Sequence, residues 1–279
     1  MVKFFLSFFL LASFICVDIL ASEEESLDEK IESLMDSGTY SKNRDFIKVL
    51  FSPNSSFYNK ERINILKVVN TLKENGLLNL HFQSPQELSL NFQTSGSPLF
   101  FVKMLSNSLQ DIGYYRYVTK SSNLDNSEFT WSIALTSEYA TDPMLLEKEL
   151  RKKGCTIIDI KRVSSTEWTY VIDMSEGYLN IDSIASGENM TLKRSLYAHW
   201  IEISKISNVT IKSEPRNDWY PYIAFYDKSL HLLELVKKDA KQTEISLEVP
   251  KYAKYMKVSD LYSLKNIKDD LFVEGKGSR

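Results

Sequence analysis

The chain has 279 residues, 43% apolar and 25% charged, with a formal net charge of −3. That composition excludes wholesale disorder, and its mildly acidic balance excludes the overall positive field that nucleic acid or an anionic lipid surface calls for. Nine glycines and seven prolines are too few for long linkers or fibrous repeats, and the length suits about two domains at ~100–200 residues each.

Residues 1–21 carry the pattern of an export signal. Lys3 supplies the positive start; Phe4 to Val17 is apolar except for Ser7 and Ser13; Asp18 ends the run. The run is about 14 residues long, short of the ~20 that a membrane span needs. Leu20-Ala21-Ser22 offers small residues to a signal peptidase, and Glu23-Glu24-Glu25 is a solvated mature start. Cleavage there predicts a periplasmic or secreted protein without stable membrane insertion. Cys16 follows the bulky Ile15, which argues against a lipoprotein signal. Losing 1–21 removes Lys3 and Asp18 together, so the mature charge stays −3 and Cys155 is the one remaining cysteine. No intrachain disulfide is then possible. In the stretch Cys155-Thr156-Ile157-Ile158 the thiol reads as a small buried hydrophobe.

Residues 22–57 read as a helical lead. Leu27, Ile31, Leu34 and Met35 form one apolar stripe; Phe46, Ile47, Val49, Leu50 and Phe51 form another, with polar Asp36–Arg44 between. The lead either packs on the downstream repeat units or serves as a partner-binding or dimerising arm.

From 58 to 175 one unit recurs three times: helix, glycine, strand, strand. Ile63, Ile65, Leu66, Val68, Val69 and Leu72 have helical spacing and stop at Asn75-Gly76; strands are expected at Leu77–Phe82 and Glu87–Phe92. Ser97-Pro98 opens the second helix and Gly113 ends it, with strands at Tyr114–Thr119 and Glu128–Thr136 around a polar turn. Asp142-Pro143 opens the third and Gly154 ends it, with strands at Thr156–Val163 and Glu167–Asp173. Read from its second strand, the segment 87–163 has the β-α-β-β-α-β, ferredoxin-like order. The expected fold is therefore α+β, with helices on one face of an antiparallel sheet.

From 176 to 273 short β-rich runs separated by turn residues predict a β-sandwich or jelly roll. These runs are Tyr178–Ile181, Met190–Leu196, His199–Ile203, Val209–Lys212, Tyr222–Tyr226, His231–Val236, Glu244–Val249 and Tyr255–Val258. The Leu-rich stretch 230–238 is ambiguous between helix and strand. Polar, Gly-rich 274–279 is expected to fray.

Chemistry is sparse. His81, His199 and His231 lie outside metal-site spacing, and no His-Glu-x-x-His pattern, nucleophile elbow or phosphate loop occurs. No cofactor, metal or catalytic residue is therefore expected. One cluster suggests binding: Asp218, Trp219, Tyr220 and Tyr222 place aromatics and a carboxylate beside a turn, a combination that stacks on sugars or grips a peptide. The competing reading puts Trp219 and Tyr222 in the sandwich core. Lys237-Lys238 and Lys241 form a short basic patch, read as a solvated surface.

In Asp111-Ile112-Gly113-Tyr114, Asp142-Pro143, Glu167-Trp168-Thr169-Tyr170 and Lys265-Asn266-Ile267 the chain resembles uncharacterised periplasmic or secreted proteins of epsilonproteobacteria. The resemblance implies a Gram-negative periplasm, and transfers no catalytic residue. It makes the glycosylation-type triplets at Asn54, Asn189 and Asn208 incidental.

The sequence thus favours a non-enzymatic periplasmic interaction or scaffold protein with an envelope protein as partner. A glycan- or peptide-binding module in the β-rich domain comes second, and an enzyme with an interdomain site third. Nucleic acid is not an expected partner, and the oligomeric state is open.

Overall fold

The computed structural model describes residues 26–279; the expected export segment, residues 1–21, lies outside them. Among the described residues no helix is long and apolar enough to cross a membrane.

Three short helices open the description: α1 (Leu27–Leu34), α2 (Ser37–Lys42) and α3 (Arg44–Leu50). Ser26 starts α1 through a reciprocal capping box, its backbone N–H donating to the Glu29 carboxylate at 2.8 Å while its hydroxyl accepts from the Glu29 N–H at 3.3 Å. Leu27, Ile31, Leu34 and Met35 are buried in the same core as the repeat units. The lead is therefore part of that lobe and not a free arm. Of the second stripe, Phe46 and Val49 remain exposed. A small ladder, β1 (Tyr58–Asn59) with β2 (Arg62–Ile63), leads into α4 (Ile65–Glu74).

The helices α4, α5 (Pro98–Asp111) and α6 (Pro143–Arg151) end in the same way. Gly76, Gly113 and Gly154 all have positive φ, at 71°, 98° and 71°. The next residue's N–H reaches back five positions: Leu77 to Leu72, Tyr114 to Leu109, Cys155 to Leu150, at 2.8 to 3.1 Å. Each glycine N–H bonds three positions back, to Lys73, Gln110 and Arg151. This is the paired Schellman closure, which needs a left-handed residue at the glycine.

Five strands follow these helices: β3 (His81–Thr94), β4 (Val118–Asp125), β5 (Glu128–Tyr139), β6 (Thr156–Arg162) and β7 (Glu167–Asp173). They form one sheet in the order β4-β5-β3-β7-β6. Three expectations are corrected here. First, the two strands of the first unit are a single strand, β3, whose register with β5 slips between His81 and Gln86, around Pro85. Second, the second unit's first strand begins at Val118 and runs through the supposed polar turn. The turn shrinks to Asn126-Ser127, with positive φ at 44° and 71°, the two-residue hairpin geometry. Third, ferredoxin order would set β6 antiparallel beside β3. Instead β7 lies there, parallel to β3, and β6 takes the edge. The apolar content of the two strands explains the exchange. β7 buries Trp168, Tyr170 and Ile172 at the sheet centre, whereas β6 buries only Ile157 and Ile160 and carries Asp159, Lys161 and Arg162.

Leu88, Leu90 and Phe92 of β3 join Trp131 and Ile133 of β5 and the β7 aromatics in the core shared with the helices. On the other sheet face Ser89, Asn91, Gln93, Thr130 and Ser132 are half-buried. They hydrogen-bond across strands, as where Ser132 Oγ donates to Asn91 Oδ1 at 2.7 Å.

Cys155 lies in this core. Burial, and next the Asp173 carboxylate, push its thiol up to about 12. A free thiol ionises near ~8.5, so the folded pKa lies above the unfolded one. The stabilisation from the neutral thiol is thus complete below the unfolded pKa and is lost as pH climbs from about 8.5 towards 12. At pH 8 the native protein is expected to resist iodoacetamide and to react readily once unfolded in urea; fast labelling of the native state would contradict this burial.

The rest of the chain is strands and loops with one short 3-10 turn, Leu264–Asn266; the strands are β8 (Asn189–Leu192), β9 (His199–Glu202), β10 (Ile206–Ser213), β11 (Pro221–Tyr226), β12 (Leu232–Lys237), β13 (Glu244–Glu248), β14 (Tyr255–Asp260) and β15 (Leu271–Ser278). They make two four-stranded antiparallel sheets, β13-β10-β15-β8 and β12-β11-β14-β9. The sheets share a core of Val209, Ile211 and Val273 from one and Ile201, Ile223, Phe225 and Val258 from the other. The ambiguous stretch 230–238 is strand, whereas 178–181 forms none. The tail expected to fray is paired instead: Lys276 opposes Asn208 and Ser278 opposes Ile206.

The two lobes touch. Leu230 and Tyr255 of the sandwich are buried in the first lobe's core, with Trp200 and Tyr226 packed against it. Ser97 Oγ donates to the Ser229 carbonyl at 2.8 Å, and Tyr255 Oη accepts from the Leu179 N–H at 3.2 Å.

Candidate ligand-binding face

The four residues singled out from sequence do not form one site. Trp219 is 0% exposed and sits in the sandwich core, its indole N–H donating to the Ser259 carbonyl at 2.9 Å. It cannot stack on a ligand. Asp218 ion-pairs with Lys241 at 3.1 Å and Lys268 at 2.7 Å, and hydrogen bonds from Lys268, then Lys241, hold its carboxyl below the usual carboxylate range. Tyr220 makes an edge contact with Tyr262, centroids 5.1 Å apart.

Those two belong to the loop end of the sandwich farthest along the strands from Ser229 and Leu230. There the segments 193–198, 214–220, 238–243 and 261–270 meet. The buried side chain of Asn217 ties them, its Oδ1 accepting from the Lys268 and Asp269 N–H groups at 2.7 Å. Arg216 grips Asp269 in a two-pronged pair, and the Arg194 N–H donates to Asp270 at 3.1 Å. The charges there are largely matched, so this end reads as a rigid knot.

Tyr222 is different. Ile223 and Phe225 of β11 point into the core, so alternation sends Tyr222, Ala224 and Tyr226 outward. Strand register places three rungs on that outer face. They are Lys237–Tyr222–Ser259, Leu235–Ala224–Lys257–Trp200 and Leu232–Tyr226–Tyr255–Glu202. The last rung meets the first lobe through Tyr255 and Tyr226 and the middle one through Trp200; the Tyr222 rung lies farthest from it. Trp200, Tyr222 and Tyr226 are half-buried, so each ring keeps some surface open. Trp200 and Tyr226 pack at 5.1 Å between centroids.

Three ammonium groups lie over these rings. Lys237 is 5.4 Å from the Tyr222 centroid, and Lys257 is 5.9 Å from that of Trp200. Lys103, reaching over from α5 of the other lobe, is 5.8 Å from the Trp200 centroid. Cation–π attraction holds the three side chains on the rings. Burial, and then the nearby Lys257, lower the pKa of Lys103. Burial, and then Tyr222, raise that of Tyr226, so its phenol stays neutral.

Sequence reading missed Trp200, Tyr226, Lys103 and Lys257. The Tyr-x-Ala-x-Tyr alternation of 222–226 signals one aromatic face. Nothing in the sequence brings α5 to it, because Lys103 and Lys257 are joined only by folding. Among the described residues no group of three or more His, Cys, Asp or Glu side chains is placed to hold a metal. His231 pairs with Asp227 at 3.0 Å, His81 stacks on Tyr139, and His199 lies apart. Comparison with known proteins gives no match: no family model, no curated protein and no solved structure is similar to this chain.

Proposed function

We propose that this chain is a non-enzymatic binding protein of the bacterial cell envelope, periplasmic or secreted, that holds a glycan on the outer face of the β12-β11-β14-β9 sheet. The observation that carries the reading is the row of partly open rings on that face, Trp200, Tyr222 and Tyr226. Flat aromatic surfaces with polar rims suit the apolar faces of sugar rings. A supporting point is topological. Numbered along the chain, the eight sandwich strands lie in the orders 1-8-3-6 and 2-7-4-5, which supports reading the lobe as a jelly roll, an architecture that lectin domains use. Fold alone assigns no activity, so the rings carry the weight. The export signal and the epsilonproteobacterial resemblance support the compartment.

Titration calorimetry against oligosaccharide fragments of envelope polymers tests this reading. Trp200→Ala is expected to weaken binding about tenfold, the loss of one stacking contact worth ~1.4 kcal/mol. Tyr222→Ala, farther from the lobe contact, should repeat the loss with little change in melting temperature. A wild-type chain that binds no fragment in the panel would sink the proposal.

A further inference from the structure

Resting on that reading, we infer that the ligand is a carboxylate-bearing polysaccharide. Its rings lie on Trp200 and Tyr222, and its acid groups are received by Lys103, Lys237 and Lys257, so both lobes contribute to one site. None of these three lysines is ion-paired to a carboxylate among the described residues. On the rungs of this face the one carboxylate is Glu202, at the end by the first lobe, where it accepts from Ser204 Oγ at 3.0 Å. An acidic protein that gathers three uncompensated ammonium groups on one patch, one of them half-buried beside a like charge, leaves an anion as the missing partner.

The spacing suits a chain-like ligand. Trp200 lies two strands across and two residues along from Tyr222, ~12 Å at the usual strand spacing and rise, room for more than one sugar ring. A free inorganic anion would leave the aromatic rings unused. Nucleic acid also stacks on aromatic platforms, but it needs a wide positive track, and this chain is acidic overall with no arginine on the three rungs. An extended peptide docks by adding a strand to an open sheet edge, whereas these rings lie on the sheet's face, which disfavours an extended acidic peptide.

The test is calorimetry on the described chain with three probes: a polygalacturonate hexamer, the same hexamer fully methyl-esterified, and a single-stranded DNA hexamer. The acid hexamer should bind, more weakly as salt rises, and the ester at least tenfold more weakly. Lys103→Met and Lys257→Met keep the stem over Trp200 and remove the charge. Each should lower the preference for the acid over the ester hexamer about fivefold, the size of one partly exposed ion pair, without lowering the melting temperature. Equal binding of acid and ester, or lysine variants that keep the full preference for the acid, overturns this inference while leaving the glycan reading intact. No binding of either hexamer overturns the inference, and the envelope-fragment panel then decides the glycan reading separately. DNA binding tighter than the acid hexamer overturns the choice of a carbohydrate.

Discussion

Trp219→Ala is expected to destabilise the sandwich by about 3–5 kcal/mol, the usual cost of emptying a buried tryptophan site. The indole is fully enclosed among the side chains of both sheets. Its removal also strips the Ser259 carbonyl of its donor, adding ~1 kcal/mol where that oxygen stays dry. Urea unfolding followed by circular dichroism measures the loss. Glycan affinity of whatever fraction stays folded should match wild type, because Trp219 lies in the core and not on the outer sheet face proposed to hold the glycan. A stable Trp219→Ala protein with abolished binding would mean that the indole is a contact residue after all.

Gly154→Ala is expected to cost about 3 kcal/mol, and Gly76→Ala only about 1. Both glycines close a helix with φ of 71°, and that conformation charges any other residue ~1–2 kcal/mol. They differ in their surroundings. A Cβ at Gly76 meets nothing within 4 Å, whereas at Gly154 it would run into the Glu176 carbonyl and the Tyr178 ring. The connecting segment is held against that cap, with the Tyr178 N–H donating to the Lys153 carbonyl at 3.0 Å and its hydroxyl to the Lys152 carbonyl at 2.9 Å. Overpacking against backbone adds ~1–3 kcal/mol. Parallel urea melts of the two variants give the comparison. Equal losses would show that the left-handed angle alone sets the requirement for glycine.

Local signals in the sequence carried the elements, and long-range competition decided what the sequence could not show. The glycine closures of the three helices follow from apolar spacing and a single residue type, and Pro98 and Pro143 mark two of the starts; the first start was misread, because Ile63, counted in the helical spacing, lies in β2 and Asn64 caps α4. The mixed class, with helices against one sheet face and an all-strand second lobe, was readable from apolar spacing too. Which hairpin strand reaches the sheet centre depends on comparing apolar content across β6 and β7, and β3 had to be seen whole to know which neighbours it wanted. β15 was hidden because Glu274, Gly275, Lys276 and Gly277 look like a loose end. Their pairing with β10 comes from a partner about 65 residues away in sequence, and no local pattern reports such a partner. Of the cluster singled out from sequence, Tyr222 lies on the outer sheet face and Trp219 in the core, the competing reading for that residue. A tryptophan beside a turn reads the same whether it points in or out. Lys103 and Trp200 belong to different lobes, and only the folded chain makes them neighbours.

β15 also imposes an order of events. It is the last strand in sequence, yet it lies between β8 and β10, and β8 pairs with nothing else in its sheet. While the chain emerges end-first from a ribosome or a translocation pore, the sandwich therefore has an unclosed seam until Leu271–Ser278 arrives. The five-stranded sheet of the first lobe needs nothing beyond residue 173 and can close while the remainder is still being threaded. Completion of the second lobe therefore waits on a strand made long after the five-stranded sheet has all its members.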